Sequence, residues 1–248
     1  MQTWTAVEHC VQGYCRLRSV LRPSQVIRRG PLLGLEELPT NKPERKRREF
    51  FCRPSHAPAA IAELDAFLPR SRQVLSIPVT SDAAAATIAE ACKQAGYRLA
   101  SSEYLFAHEG PPPPEPDGPN QIVLVTTEDL AARVAKAQGR VRITTPEYLA
   151  SERSPLRLYC ALRQGNPVAW AQSLAAGRGT RYVANLYTVR SHRRQGLATA
   201  VMSRLLQDDA RLGERQSVLF SSHGGRGLYE SLGYRQLGRL LMFWGKND

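Results

Sequence analysis

The residues best placed to do chemistry lie between Arg190 and Ala198. The run Arg190-Ser191-His192-Arg193-Arg194-Gln195-Gly196 is basic and contains no apolar side chain. Upstream, Tyr182 to Val189 is rich in β-branched and aromatic residues and reads as a buried strand. Downstream, Leu197, Val201, Leu205 and Leu206 recur at helical spacing, so a helix begins near Gly196 or Leu197. Its first turn has no acidic residue. A strand feeding a glycine-bearing loop that opens a helix suits an anion, because the unpaired N–H groups of the first turn point at the loop. The helix dipole adds partial positive charge, and Arg193 and Arg194 add whole charges. Gly196 lets a ligand approach the main chain, and small Ala198 leaves the first turn uncovered. The chemistry expected is anion binding.

Arg193-Arg194-Gln195-Gly196-Leu197-Ala198 fits every fixed position of Q/R-x-x-G-x-G/A, the acyl-CoA loop of the GNAT superfamily of N-acetyltransferases, which this segment resembles. A second block, Gly227 to Tyr234 (GLYESLGY), resembles another part of that family. The resemblance implies acetyl transfer from acetyl-CoA to a primary amine. It implies that the main chain of Arg194, Gln195, Gly196, Leu197, Ala198 and Thr199, with Arg193 and Arg194 as charges, holds the diphosphate. It also implies that Leu186, Tyr187, Thr188 and Val189 offer backbone groups to the pantetheine arm, with Leu228 close by. Tyr229 matches the family's general acid. A phenol fits that role, its free pKa of about 10 lying above that of a thiol at about 8.5. Ser222 stands where many family members have Asn. The carboxylate base that the family often carries on its central strand is missing, since no Asp or Glu occurs between Ser154 and Leu206. Glu147, Glu152, Glu230 and His192 are possible replacements, and Asn185 could position a water.

The elements that must position these residues follow in order. From Gln121 the pattern reads strand (to Thr126), helix (Thr127 to Gln138), short helix (Pro146 to Ser151) and a hairpin of Leu156 to Arg163 with Asn166 to Ala175. After the central motif come a strand at Gln216 to Ser221, a helix at Gly227 to Leu232 and a last strand at Leu237 to Trp244. This order resembles the GNAT fold, an α/β (α+β mixed sheet) architecture, over the second half of the chain. The first half is harder to read. Val11, Tyr14, Leu17 and Leu21 suit a helix, and Pro31 to Leu35 reads as a turn or loop. Beyond these lie a helix at Ala59 to Phe67, a strand at Gln73 to Val79, a helix at Ala83 to Gln94, and a hairpin or paired strands over Tyr97 to Ala107.

Two segments of the first half echo the second. Ala95 to Ala107 (AGYRLASSEYLFA) lines up with Leu232 to Trp244 (LGYRQLGRLLMFW), and Arg72 to Ile77 (RQVLSI) with Arg215 to Phe220 (RQSVLF). The expected organisation is therefore a degenerate GNAT-like or accessory α/β domain over 1–108, a stiff proline-rich linker over 109–120, and a catalytic GNAT domain over 121–248. Ile27 to Leu32 is the nearest first-half match to the anion loop, and it fails at Ile27 and Leu32.

A chain of 248 residues can bury a sizeable core as one or two domains. No apolar run is long enough to cross a bilayer, and no signal-peptide pattern is present. The five cysteines show no C-x-x-C spacing, which points to free thiols in a reducing cytoplasm and to no metal. The net charge of +12 suggests acidic ligands, CoA or nucleic acid among them. The run Arg45-Lys46-Arg47-Arg48 could be a nucleic-acid patch, but no aromatic residue interleaves the charges and a solvated loop is the preferred reading. An alternative function is thus an acyl-CoA-sensing regulatory or nucleic-acid-binding protein without turnover. The acceptor, the acyl length and the oligomeric state are not legible.

Overall fold

The structure, a computed structural model, describes residues 1–40, 48–114 and 121–245. Eleven strands form one mixed sheet in the order β1-β2-β3-β4-β11-β5-β10-β9-β8-β7-β6. The first half supplies helix α1 (Thr3–Ser19) and strands β1 (Ser24–Arg29), β2 (Leu32–Glu37) and β3 (Arg48–Phe51). Helix α2 (Ala57–Phe67), β4 (Gln73–Val79), α3 (Asp82–Gln94) and β5 (Tyr97–His108) follow. The second half supplies β6 (Gln121–Leu124), α4 (Glu128–Ala137), α5 (Pro146–Leu149), β7 (Leu156–Arg163), β8 (Asn166–Gly177) and β9 (Thr180–Thr188). After it come α6 (Leu197–Arg211), β10 (Gln216–Ser221), α7 (Arg226–Ser231) and β11 (Arg235–Gly245).

The centre of the sheet is an exchange. The last strand of each half lies against the other half: β11 pairs antiparallel with β4, β5 pairs antiparallel with β10, and β11 and β5 pair with each other. Outward from that central pair both arms repeat one pattern. Each has an antiparallel neighbour, then a parallel pair (β3 with β4, β9 with β10), then antiparallel hairpin strands. The residues that the sequence echo equates, Glu103 and Leu240, are register partners across β5 and β11. A pseudo-twofold axis therefore passes between them. The echo at β4 and β10 likewise falls on strands in equivalent places.

Helices cover both faces. One face carries α1 over Leu105, Tyr182, Val218 and Leu240, and α4 over Leu158, Cys160 and Trp170. The other carries α2 and α3 over Leu75, Ile77 and Phe243, and α6 and α7 over Phe106, Tyr159 and Leu219. Alternation along the strands assigns neighbouring residues to opposite cores, as period-2 side-chain geometry requires. α1 belongs to the first half by sequence but packs on β8 and β9 of the second. It comes so close at Gly13 that an added Cβ would stand 2.1 Å from the Cβ of Tyr182.

Two expectations are corrected. Residues 32–35 are not a loop but part of β2, and Gly34 there makes room for the Phe50 ring, which would lie 2.4 Å from an added Cβ. Residues 97–107 are not a hairpin but one long strand, because β5 spans two partners, β11 on one edge and β10 on the other. All five cysteines are free and buried. The basic run at 45–48 lies outside the described residues except for Arg48, whose Nη1 is 3.9 Å from Glu36. Of the linker, residues 115–120 are likewise outside. The part before them runs along α6, where Gln207 Nε2 donates to the Pro113 carbonyl at 3.0 Å.

The C-terminal part of α6 is fixed to the sheet by a buried ionic cluster. Asp209 is 2% exposed and accepts from Arg157 of β7 and from Ser173 Oγ of β8 at 2.9 Å; Arg181 of β9 lies 3.9 Å away. Removing one partner of such a cluster leaves uncompensated buried charge, which costs about 3–5 kcal/mol. Asp209→Ala is therefore expected to lower unfolding free energy by about that amount in urea titration, while an exposed ion-pair variant such as Glu230→Gln should leave the urea midpoint nearly unchanged.

Candidate functional site

Strands β9 and β10 run parallel but pair only from Thr180 to Tyr182, opposite Gln216 to Val218. Beyond that point they separate. A bulge contributes: the β8–β9 register shifts between Trp170 and Gln172, and Asn185 sits at φ +53. Two residues of β9 thereby oppose one of β8, which bends the strand and re-aims its side chains. The Asn185 amide donates to Gln172 Oε1, and Gln172 Nε2 donates to the Ile143 carbonyl at 2.7 Å, so the bulge is anchored from behind.

A cavity of about 860 Å³ occupies the gap. At one end it is bordered by the loop leading into α6. Arg194 and Gly196 take left-handed backbone angles, φ +60 and +73. Gly196 is the N-cap of α6 and offers no side chain to the first turn. Among the described residues, the main-chain N–H groups of 194–199 have no acceptor. Left-handed φ at Gly196 is what lets the loop turn these donors toward the opening. Arg193 and Arg194 are exposed beside them. The Arg193 Nε donates to the Thr188 carbonyl at 3.1 Å, and its guanidinium lies over the Tyr187 ring, 5.7 Å from the centroid.

The sequence-chosen residues largely converge here. Leu186, Tyr187 and Thr188 line the cavity from β9, and Arg193, Arg194, Gly196, Leu197, Ala198 and Thr199 from the loop and first helical turn. Ser222, Leu228 and Tyr229 line it from β10's end and α7. Val189 and Gln195 do not. Val189 packs into the core under α4 and spends its N–H on the Val168 carbonyl at 2.9 Å, because the chain has rejoined β8 at that point. Gln195 is exposed on the outside of the turn. His192 and Asn185 reach the cavity. Glu147, Glu152 and Glu230 do not: Glu152 pairs with Arg211 at 2.9 Å and Glu230 with Arg226 at 2.7 Å on the surface.

Tyr229 is 8% exposed, its ring centroid 5.8 Å from that of Phe106 and 5.6 Å from that of Tyr234. Its hydroxyl has no hydrogen-bond partner among the described residues, and burial pushes its pKa up to about 12. The phenol is thus held protonated and available to a group entering the cavity.

Two carboxylates that inspection of the second half alone misses also face this space. Glu49 comes from β3 and Glu103 from β5, both in the first half. Ser76 Oγ donates to Glu49 at 2.8 Å. Burial raises both carboxyls above the ordinary range, against which the Ser76 hydrogen bond and Arg18 pull Glu49 back. Alternation would have placed Glu49 and Phe51 on one face of β3, but nothing in the sequence reveals that β3 and β5 lie across the sheet from β9.

The comparisons with known proteins agree with this geometry. The sequence profile of the acetyltransferase (GNAT) family matches residues 127–234. No curated protein sequence matches the chain. A GCN5-related N-acetyltransferase from Kribbella flavida shares the fold over 100% of this chain and 97% of its own, with a TM-score of 0.69 at 20% identity. A GNAT-family protein from Novosphingobium aromaticivorans does so over 98% and 99%, with a TM-score of 0.59 at 19% identity. A tandem GNAT protein from the clavulanic acid biosynthesis pathway matches 90% of this chain and 83% of its own, with a TM-score of 0.53 at 14% identity. The mixed α/β fold is that of GNAT structures.

A difference titration tests the environment of Tyr229. Subtracting the ultraviolet phenol titration of Tyr229→Phe from that of the parent should show one phenol ionising near 12. Ionisation near the ordinary value of about 10 would mean that the hydroxyl is fully hydrated.

Proposed function

We propose that the protein is an acyl-CoA-dependent N-acetyltransferase that moves an acetyl group from acetyl-CoA to a primary amine of a small molecule or protein. The observation that carries this reading is the row of acceptor-free N–H groups over residues 194–199, set at the mouth of a cavity between splayed strands. Donors of this kind fit the diphosphate of CoA, with Arg193 and Arg194 adding charge. The unpaired edge of β9 at Leu186, Tyr187 and Thr188 would hold the pantetheine arm, with Ser222 and Leu228 across the gap. Unsatisfied β9 amides beside a thioester carbonyl would stabilise the charge that develops on its oxygen.

Tyr229 would donate its proton to the departing thiolate. Its raised pKa keeps the phenol protonated at neutral pH. Giving that proton to a thiolate, whose acid ionises at about 8.5, is uphill on its own and is completed as the acylated nitrogen returns a proton to the phenolate. Among the described residues, His, Cys, Asp and Glu form no group of three that could hold a metal ion. No described helix is long and apolar enough to cross a membrane.

The first half reads as a degenerate copy of the second, with 1–108 and 121–248 as the two units. Support comes from the matching strand order of the two arms and from the loop after β3. There, Cys52 to Ala57 replaces the second half's anion loop and contains Pro54 but no glycine.

Acetyl-CoA at about one hundred times its Kd should stabilise the fold by about 2.7 kcal/mol, a clear rise in Tm. Gly196→Val should abolish that rise, since a β-branched residue resists φ +73. Tyr229→Phe should keep it while lowering kcat by about 10²–10⁴-fold. A parent protein whose Tm ignores millimolar acetyl-CoA would refute the reading.

A further inference from the structure

The cavity does not stop at the acyl-CoA mouth. It passes beneath α1 to a chamber on the α1 face of the sheet, walled by Tyr14 and Leu17 of α1, Phe51 of β3, Phe220 of β10 and Leu240 and Met242 of β11. The rings of Phe51 and Phe220 stack at 6.3 Å, so this end is apolar and aromatic. Into it project Glu49 and Glu103. Neither makes an ion pair with any described residue, and Glu103 accepts no hydrogen bond from any of them. That is unexpected in a chain with 34 Lys and Arg against 22 Asp and Glu. Half-buried carboxylates are retained when something pairs with them, because leaving them unpaired destabilises the fold.

Resting on the acetyltransferase reading above, we propose that Glu49 and Glu103 receive the acceptor, a primary ammonium on an apolar stem, and that Glu103 is the base that deprotonates it. The first half would then be a working part of the site. Glu49, whose raised carboxyl the Ser76 hydrogen bond and the field of Arg18 pull back toward the charged form against burial and Glu103, anchors the cation. Glu103, which has no internal donor, takes one proton from R–NH3⁺ and frees the nitrogen lone pair. As the nitrogen–carbon bond forms and the carbon–sulfur bond breaks, Tyr229 gives its proton to the thiolate sulfur. The second nitrogen proton restores the phenol, and the proton on Glu103 passes to solvent. Protons balance: two leave the ammonium, one reaching the thiol and one the solvent. Ring and methionine walls would favour an acceptor with an apolar stem over a hydrophilic one.

Phenethylamine serves as the probe, with phenethyl alcohol as its uncharged counterpart, against full-length protein saturated with CoA. Calorimetry should show phenethylamine binding to the parent and weakening at least tenfold in Glu49→Gln and Glu103→Gln, with phenethyl alcohol unaffected. With acetyl-CoA, Glu103→Gln should cut kcat further than Glu49→Gln, which should act mainly on KM. Both variants should keep the acetyl-CoA-induced rise in Tm and melt no lower than the parent, since each removes an unpaired charge. No binding of phenethylamine to the parent, or equal binding to parent and variants, would overturn the proposal. Loss of the acetyl-CoA response in the parent would instead strike the underlying acetyltransferase reading.

Discussion

The whole site depends on the parallel pairing of β9 and β10 ending after three residue pairs. Had the ladder continued, the N–H and C=O groups of Leu186 to Thr188 would face β10 and no space would separate the two halves of the active surface. Three features hold the gap open. The bulge at Asn185 turns β9 aside, and Trp170 stacks on Tyr187 at 5.0 Å to keep the diverging segment against β8. The short helix α7 fills the far side of the gap with Tyr229, supported by Phe106. Because unpaired backbone groups away from bulk water are unfavourable, a permanent splay of this kind is maintained only by such specific packing.

The ionic cluster around Asp209 acts at the opposite end of the same helix. It fixes the axial position of α6 over β7, β8 and β9, and so determines where the helix's first turn emerges. A helix rises about 1.5 Å per residue, so a slip of one residue at Asp209 would carry the loop amides out of line with the cavity mouth. The anion-binding end and the buried charged end are therefore one positional device.

Local pattern made much of this legible. The order of β9, loop and α6 could be read from Tyr182 to Leu206, because strand period, glycine and helical period each act within a few residues. Eleven of the thirteen residues expected at the cofactor border the cavity; Val189 does not because its strand has rejoined β8, and the Gln195 side chain lies on the outside of the turn. β2 was misread because Gly34 and Pro31 carry turn character, whereas Gly34 is needed to admit the Phe50 ring. β5 has hairpin character in sequence but stays one strand, because β11 accompanies it from Tyr97 to Ala107 and β10 joins its other edge over Tyr104–His108. Glu49 and Glu103 stayed hidden for a related reason: their proximity to Tyr182 arises from the strand exchange, a pairing between residues more than one hundred positions apart.

That exchange also bears on how the chain is made. While the polypeptide is emerging from the ribosome, β4 has an open edge that its own half cannot close, since the strand that covers it, β11, follows only after the whole of the second half's other strands. β5 must likewise wait for β10. The amino-terminal half therefore spends most of synthesis with sticky strand borders exposed, and closure requires loops of some 160 residues between β4 and β11. A nascent chain arranged in this way gains its final cooperativity all at once, when β10 and β11 dock, rather than one unit at a time.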